Sequence, residues 1–425
     1  MAEKTLIQDD KEVARELFTM IKHDTTAIET GLDGSISGVG TDRGQKLLVA
    51  EHFSDMGLSD ELLKAIYNQG FEKPSLIQKS AIPHILRGHN VVVQSKSGTG
   101  KTIAYTCGVL GNTKIGERTQ VMVVTPTREL STQVTEVISG LAGPLGIKVF
   151  SALKNKITDS IGEEVVVGSP GTILKLMELG KLNYKGVKMI VLDEADILLD
   201  KDMMGTQTFR ILKLISGAQM IFFSATFSEQ VKQTIEFYAP DAVKMYEERN
   251  GKPDEIKLFY IEAEGENKRR ALKSLYEYLS ISQMIIFVST KATVNYLRKK
   301  LEDDLHSVSC LHGDLEIEER EKAVGDFRSS KSKILLTTDV FSRGMDIPQV
   351  NLIVNYDLPI YRGVASTQTY IHRIGRSGRF GRTGFVVDFV RDEELEAYLS
   401  FQKELKFASK KFTIRALEEV AEELG

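Results

Sequence analysis

Short apolar runs, each followed by a longer stretch of mixed apolar and polar residues, recur along most of this chain. Val91–Val93, Val121–Thr125, Val165–Val167, Met189–Leu192 and Ile221–Phe223 are almost continuously apolar and of strand length. Runs without polar alternation fit strands buried on both faces, and their alternation with helical stretches predicts an α/β fold, a parallel sheet covered by helices. This compact region is expected over 51–246. The polar stretch Glu247–Glu255, with Asn250-Gly251-Lys252-Pro253 inside it, breaks the rhythm and predicts a linker over 247–255. A second series follows in Ile256–Ile261, Met284–Val288, Ser307–Leu311, Ile334–Thr337, Leu352–Asn355 and Gly384–Phe389, predicting a second domain over 256–425. The shared rhythm suggests a duplicated fold.

Residues 1–50 read differently. Val13, Leu17, Phe18 and Ile21 fall on one face at helical spacing, which predicts an amphipathic helix over residues 1 to about 23. Asp24 to Gln45 is rich in Gly, Ser, Thr and Asp and reads as a flexible tether. The length of 425 residues suits two or three domains, and 42% hydrophobic with 27% charged residues is a soluble globular composition. A net charge of −4 supplies no global basic field, so nucleic-acid binding must rest on local patches. Cys107 and Cys310 lie far apart, and the seven His lack zinc spacing, so a reducing, intracellular setting without a structural metal is expected. No apolar run has the length of a membrane span, and the acidic start Met1-Ala2-Glu3 is unlike a signal peptide.

Two segments of the first half carry chemistry. Ser95-Lys96-Ser97-Gly98-Thr99-Gly100-Lys101-Thr102 follows the strand at Val91–Val93, which is the strand, Gly-containing loop and helix order of a phosphate cradle. Its glycines let backbone N–H groups turn onto phosphate oxygens, Lys101 adds a point charge, and the Thr102 hydroxyl suits Mg²⁺. Ser95 stands where the P-loop pattern has Gly, so this segment alone is also compatible with an ordinary turn. The strand Met189–Leu192 ends in Asp193-Glu194-Ala195-Asp196. Asp193 there would face a magnesium shell, and Glu194 would orient and polarise an attacking water. Together the two segments specify nucleoside triphosphate chemistry.

Further segments fit the same theme. Phe71 and Gln78, within Gly70-Phe71-Glu72-Lys73-Pro74-Ser75-Leu76-Ile77-Gln78, offer a ring to stack on a base and an amide that donates and accepts together. Ser224-Ala225-Thr226 places two hydroxyls at a sheet's carboxyl edge, where ligands bind in such folds. His372-Arg373-Ile374-Gly375-Arg376-Ser377-Gly378-Arg379 spaces guanidinium groups for phosphate recognition. With Pro126-Thr127-Arg128-Glu129-Leu130, Ser169-Pro170-Gly171, Ile285-Ile286-Phe287-Val288, His312-Gly313-Asp314, Thr337-Thr338-Asp339 and Arg343-Gly344-Met345-Asp346, the set resembles the DEAD-box RNA helicases, in the family's order, from about Phe53 to Arg382.

The resemblance implies two tandem RecA-like domains with a flexible N-terminal extension, and ATP, Mg²⁺ and RNA as ligands. Carried over by position, Phe71 and Gln78 read adenine; Ser97, Gly98, Thr99, Gly100, Lys101 and Thr102 hold phosphates, with Thr102 and Asp193 toward magnesium. Glu194 is the base or water orienter, Asp346 contacts the ribose, and Arg376 and Arg379 are the arginine fingers that act when the domains close. Pro126, Thr127, Arg128, Gly171, Arg320 and Thr337 face the RNA backbone, while Asp196, Ser224, Thr226 and His372 couple the two sites. Backbone contacts carry little sequence information, so single strands or short duplexes should bind without sequence preference.

Three features resemble the messenger-RNA-export branch: Ser95 in place of Ala, Thr172 after Ser169-Pro170-Gly171 in place of Arg, and an enlarged segment Ile360 to Gln368. That branch implies a monomer working in the cytoplasm, at the nuclear pore and in the nucleus. It also implies a pore-associated activator with inositol hexakisphosphate, and an inhibitory N-terminal helix, for which the interdomain cleft is one docking place. A translation-initiation type is the alternative within the family, and an ATP-gated RNA clamp with slow turnover the alternative in activity. Ala152-Leu153 and Ser342 depart from the family's usual paired glycines and Ala.

Overall fold

The computed structural model describes residues 2–24, 39–41, 48–95, 98–153, 160–201, 203–247, 256–279, 281–339, 350–361, 364–377, 383–405 and 407–424. The chain divides into two compact units. One is Ser35–Asn250; the other joins Met1–Gly34 to Gly251–Gly425. Most of the tether segment, and the linker from residue 248 on, fall outside the described residues.

In the unit Ser35–Asn250, strands β1 (Val39–Thr41), β2 (Val91–Gln94), β3 (Val121–Val124), β4 (Val149–Ala152), β5 (Val165–Gly168), β6 (Met189–Asp193), β7 (Gln219–Ser224) and β8 (Val243–Glu247) form one sheet in the order β1-β8-β2-β7-β6-β3-β5-β4. All neighbours are parallel except β1, which pairs antiparallel with β8. The sequence reading missed β1, β4 and β8. These lie toward the sheet edges, where short runs such as Val39-Gly40-Thr41 carry no apolar signal of their own. β1 also corrects the tether, part of which is paired strand.

Before the second unit begins, helix α1 (Ala2–Asp24) comes first in the chain, and the helices of this unit are α2 (Asp60–Asn68), α3 (Leu76–Leu86), α4 (Lys101–Asn112), α5 (Arg128–Ala142), α6 (Pro170–Glu178), α7 (Ala195–Leu198), α8 (Gly205–Leu214) and α9 (Glu229–Tyr238). The fully apolar strands β3 and β5 are buried on both faces because α2–α5 cover one side and α6–α9 the other. α3 and α4 pack closely, since a Cβ on Gly108 would come 2.3 Å from the Ile85 side chain.

α3 contains Pro83, whose missing N–H would otherwise bond the Lys79 carbonyl. That carbonyl accepts instead from Ala50 N at 3.1 Å. His84 Nε2 accepts from Leu48 N at 3.1 Å, so the segment entering the domain is laced to α3 by two backbone donors. The accepting Nε2 puts the imidazole proton on Nδ1, which points at His89 Nδ1, 3.0 Å away. Burial, then the neighbouring His89 and Arg87, lower the His84 pKa to about 4. The unfolded chain therefore binds this proton first, and the lacing is complete above pH about 6.5 and lost as pH falls toward 4. Hydrogen exchange at Leu48 and Ala50 should accelerate across that window, and His84→Gln should remove the pH dependence; a flat profile in the wild type would discard the latch.

The second unit contains α1 with β9 (Ile256–Glu262), α10 (Glu266–Tyr278), β10 (Gln283–Phe287), α11 (Lys291–Asp303), β11 (Val308–Leu311), α12 (Ile317–Arg328), β12 (Ile334–Thr337), β13 (Val350–Asn355), β14 (Ile360–Tyr361), β15 (Val364–Ala365), α13 (Thr367–Ile374), β16 (Gly384–Val390), α14 (Leu395–Leu405), β17 (Lys410–Lys411) and α15 (Ile414–Leu424). Its sheet runs β11-β12-β10-β13-β16-β9-β17 and is parallel throughout. The enlarged segment after Pro359 forms the small antiparallel pair β14–β15, with Ile360 and Ala365 against the cluster around Tyr370, Tyr398 and Phe401.

Leu17, Ile21 and Ala14 of α1 are buried in this unit's core with Phe412, Leu417 and Val420, and Val13 and Phe18 pack beside them. Lys11 pairs with Glu419 at 2.5 Å, Arg15 with Glu423, and Lys410 with Glu16. The apolar face that the sequence left free to dock in a cleft is thus spent on α15 and its neighbours, because those helices expose a matching apolar stripe.

Candidate active site and RNA-facing edge

Apart from the segment with Phe71 and Gln78, which runs from after α2 into α3, the chemistry-bearing segments of the first unit leave the carboxyl ends of parallel strands. The cradle follows β2, Ser224-Ala225-Thr226 follows β7, and Asp193-Glu194 closes β6; these three strands are consecutive in the sheet. Next come β3 and β5, whose ends lead into α5 and α6. Sheet order therefore separates a nucleotide side from a side where two helix N-termini lie next to each other.

In the cradle, Gly98 and Gly100 take φ of +85° and +88°, a region open at little cost only to glycine, which has no Cβ. Gly100 caps α4, whose N-terminal N–H groups form an anion site. Lys101 is buried, and its Nζ donates to the Ser95 carbonyl at 2.9 Å. Ser95 Oγ lies 2.7 Å from Thr99 Oγ1, so the serine that departs from the P-loop pattern closes the loop on itself. Thr102 begins the first turn of α4 after Lys101, and Ser97 lies outside the described residues.

Gln78 grips this loop. Its Oε1 accepts from Ser75 N at 2.8 Å, its Nε2 donates to the Gly100 carbonyl at 3.2 Å, and Ser75 Oγ donates to the Thr99 carbonyl at 2.8 Å. The sequence expected Gln78 on a base edge; the structure shows its amide nitrogen on the loop at Gly100 while its amide oxygen closes the capping box of α3 on Ser75. Phe71 is half-buried against the same core. A Cβ at Gly100 would meet Gln78 Nε2 at 2.3 Å. Gly100→Ala should weaken ATP binding about tenfold, from about 1–2 kcal/mol of left-handed strain plus displacement of Gln78. Titration with a fluorescent nucleotide checks this, and wild-type affinity would refute the tie between Gln78 and the loop.

Asp193 is buried, and its Oδ2 accepts from the Tyr105 hydroxyl at 2.9 Å. Burial first, then the Glu194 charge, raise its pKa, while Lys101 and Tyr105 pull it back. Tyr105, one turn into α4, was not singled out in the sequence, where it reads as an ordinary core aromatic. Glu194 has φ 55° and ψ 51°, a left-handed conformation for a residue with a side chain. Such strain costs on the order of 1–3 kcal/mol and gathers at functional positions. It turns the chain sharply at the strand end and starts α7.

Ser224, Thr226 and Asp196 form a hydrogen-bonded path. Ser95 N donates to the Ser224 carbonyl at 3.0 Å, Thr226 N to Ser224 Oγ at 3.3 Å, and Thr226 Oγ1 to Asp196 Oδ2 at 2.7 Å. The cradle and the acidic turn are thus joined through β7. On the other side, Thr127 caps α5 by accepting from Leu130 N, Pro126 is buried before it, Arg128 opens the helix, and Gly171 lies in the first turn of α6. Ala152, at the end of β4, faces the core, consistent with its departure from paired glycines.

In the second unit, Arg320 lies in the first turn of α12, and His372 on α13. Thr337 is fully buried, its hydroxyl 3.0 Å from the Leu311 carbonyl and 2.8 Å from that of Thr338. Arg376 Nε donates to the His372 carbonyl at 3.0 Å. Asp346 and Arg379 lie outside the described residues. Arg373, which the sequence gave no separate role, is among the largest fully buried side chains of the described residues.

Residues 75–234 match the family model described as DEAD/DEAH box helicase, and residues 267–381 match the helicase conserved C-terminal domain. The chain belongs to the DEAD-box helicases. This helicase is 40% identical over 381 residues to the ATP-dependent RNA helicase DBP5 of Kluyveromyces lactis, covering 86% of this chain and 80% of the relative. Its structure is similar to Saccharomyces cerevisiae Dbp5 bound to RNA and ADP BeF3, with a TM-score of 0.83, 38% identity, and coverage of 88% of this chain and 99% of that one. It is also similar to a variant of Saccharomyces cerevisiae Dbp5 bound to Nup159, a Gle1 variant, IP6 and ADP, with a TM-score of 0.61, 38% identity, and coverage of 87% and 98%. The DEAD-box helicase is an ATP-dependent RNA helicase built on tandem RecA-like domains. Among the described residues no helix is long and apolar enough to cross a membrane.

Proposed function

We propose that this helicase remodels RNA or RNA–protein complexes during messenger-RNA export, working in the cytoplasm and at the nuclear pore. The hydrogen-bonded path from Ser95 through Ser224 and Thr226 to Asp196 carries the reading, because it gives the nucleotide cradle a rigid connection to the acidic turn. The likeness to Dbp5 structures bound to RNA, and to Nup159, Gle1 and IP6, supports the export branch.

ATP lies in the cradle, with Lys101 and the α4 N-terminus on its phosphates. Glu194 polarises the attacking water. Thr102 and Asp193 fit a magnesium ion, since a buried carboxylate whose hydrogen bonds among the described residues come from a hydroxyl and its neighbour's N–H suits a cation. That ion would draw charge from the phosphates. Arg376 and Arg379 keep the family's role at the outer phosphate, and Asp346 that at the ribose. Pro126, Thr127, Arg128, Gly171 and Arg320 hold the RNA backbone without reading sequence.

Steady-state ATP turnover with and without single-stranded RNA tests the reading, repeated with a pore-associated activator and inositol hexakisphosphate. RNA-stimulated turnover, raised again by the activator, is the expected result. RNA held by ATP without stimulated turnover would establish the slow clamp, and stimulation indifferent to the activator would move the chain out of the export branch.

A further inference from the structure

Arg373 is enclosed completely, yet it carries a full charge that must be matched. Its Nε donates to Asp339 Oδ1 at 2.6 Å, and its Nη1 to Asn355 Oδ1 at 3.1 Å and to the Asp357 carbonyl at 2.6 Å. The guanidinium lies 5.1 Å from the centre of the Phe287 ring. One side chain on α13 thereby gathers the carboxyl ends of β10, β12 and β13. The network continues inward: Asn355 Nδ2 donates to Asp388 Oδ1 at 2.7 Å, and the hydroxyls of Tyr370 and Tyr398 donate to Asp388 Oδ2 at 2.6 and 2.9 Å. Asp388 is buried on β16, and the Tyr370 ring stacks on Phe401.

Arg376 hangs from the same turn. Its backbone N–H donates to the Arg373 carbonyl at 3.1 Å and its Nε to the His372 carbonyl. Ser377 Oγ then fastens the chain to the Asn351 carbonyl at 3.1 Å. Where Arg376 points is therefore set by where Arg373 is held. We propose that Arg373 is a positioning residue for ATP hydrolysis: locked by Asp339, Asn355 and, through Asn355, Asp388, it fixes the turn that presents Arg376, and it acts on turnover only through Arg376. The proposal rests on the reading of Arg376 as a phosphate-facing arginine.

A lysine retains the charge but offers its donors from a single nitrogen and does not span Asp339, Asn355 and the Asp357 carbonyl together. Misplacement of a catalytic cation by about 1 Å costs up to about a hundredfold in rate. Arg373→Lys should lower RNA-stimulated kcat about ten- to a hundredfold, with KM for ATP changed by less than about twofold, after correction for active fraction by nucleotide titration. Adding Arg376→Ala should then change nothing further: the double variant should turn over like Arg376→Ala alone, within about twofold. A merely structural Arg373 would instead lower the double variant multiplicatively. Tyr398→Phe, which removes one hydroxyl from Asp388, should act in the same direction more weakly, again without effect when Arg376 is already Ala; it decides the matter if Arg373→Lys does not fold. Loss of turnover in Arg376→Ala with wild-type kcat in the folded Arg373→Lys or Tyr398→Phe variant would overturn the positioning role alone. Wild-type turnover in Arg376→Ala would instead overturn the role of Arg376, and the positioning proposal with it.

Discussion

Glu194→Gln will keep ATP-dependent RNA binding and lower turnover at least about a hundredfold, the lower end of general-base effects. The substitution preserves shape at a position whose left-handed backbone already limits what the turn accepts. It removes only the negative charge that polarises water. It also removes a charge that raises the Asp193 pKa, so Asp193 should ionise more readily and nucleotide capture should not suffer. Turnover measured under saturating ATP and RNA, beside an RNA-binding isotherm with ATP, gives both numbers. Near-normal turnover would take Glu194 out of the reaction, and loss of RNA binding would show that the charge holds the acidic turn in place.

Deleting residues 1–24 will loosen the second unit. α1 contributes Ala14, Leu17 and Ile21 to that unit's core, and its removal bares Leu417 and Val420 to water. Leu17→Ala alone should cost about 2–5 kcal/mol, the range for emptying a fully buried leucine site. The ion pairs of Lys11 and Arg15 with α15 are exposed; they fix the helix register and add little stability. Hydrogen exchange followed by mass spectrometry should show α15 and β17 losing protection, with β2 through β7 unaffected. The sequence read this helix as an inhibitory element docking in a cleft. With its apolar face used inside the second unit, deletion should give no rise in RNA-limited turnover. Unchanged α15 protection together with faster turnover would restore the inhibitory reading.

The pattern of residues determined a good deal by itself. The central strands β2, β3, β5, β6, β7, β10, β12, β13 and β16 were legible because strands buried on both faces need unbroken apolar runs, and few other structures do. The nucleotide chemistry was legible because a phosphate cradle is local: a strand, two glycines with positive φ and a lysine within a few residues. The spacing of Val13, Leu17, Phe18 and Ile21 fixed α1 as a helix.

What the helix packs against was not legible, since an apolar stripe states that a partner exists and not which one. The edge strands β1 and β4, and β8 beside β1, escaped for a related reason: their places depend on hydrogen bonds to other segments of the chain, such as those of β1 and β8, where Val39 lies opposite Glu247. The grip of Gln78 on Gly100, the bond from Tyr105 to Asp193, the burial of Thr337 and the enclosure of Arg373 were decided only in three dimensions. Each joins residues separated by many positions, and in each a polar group leaves water and must find its partner in the fold. A sequence names the groups that can make such bonds. Burial decides which of them must.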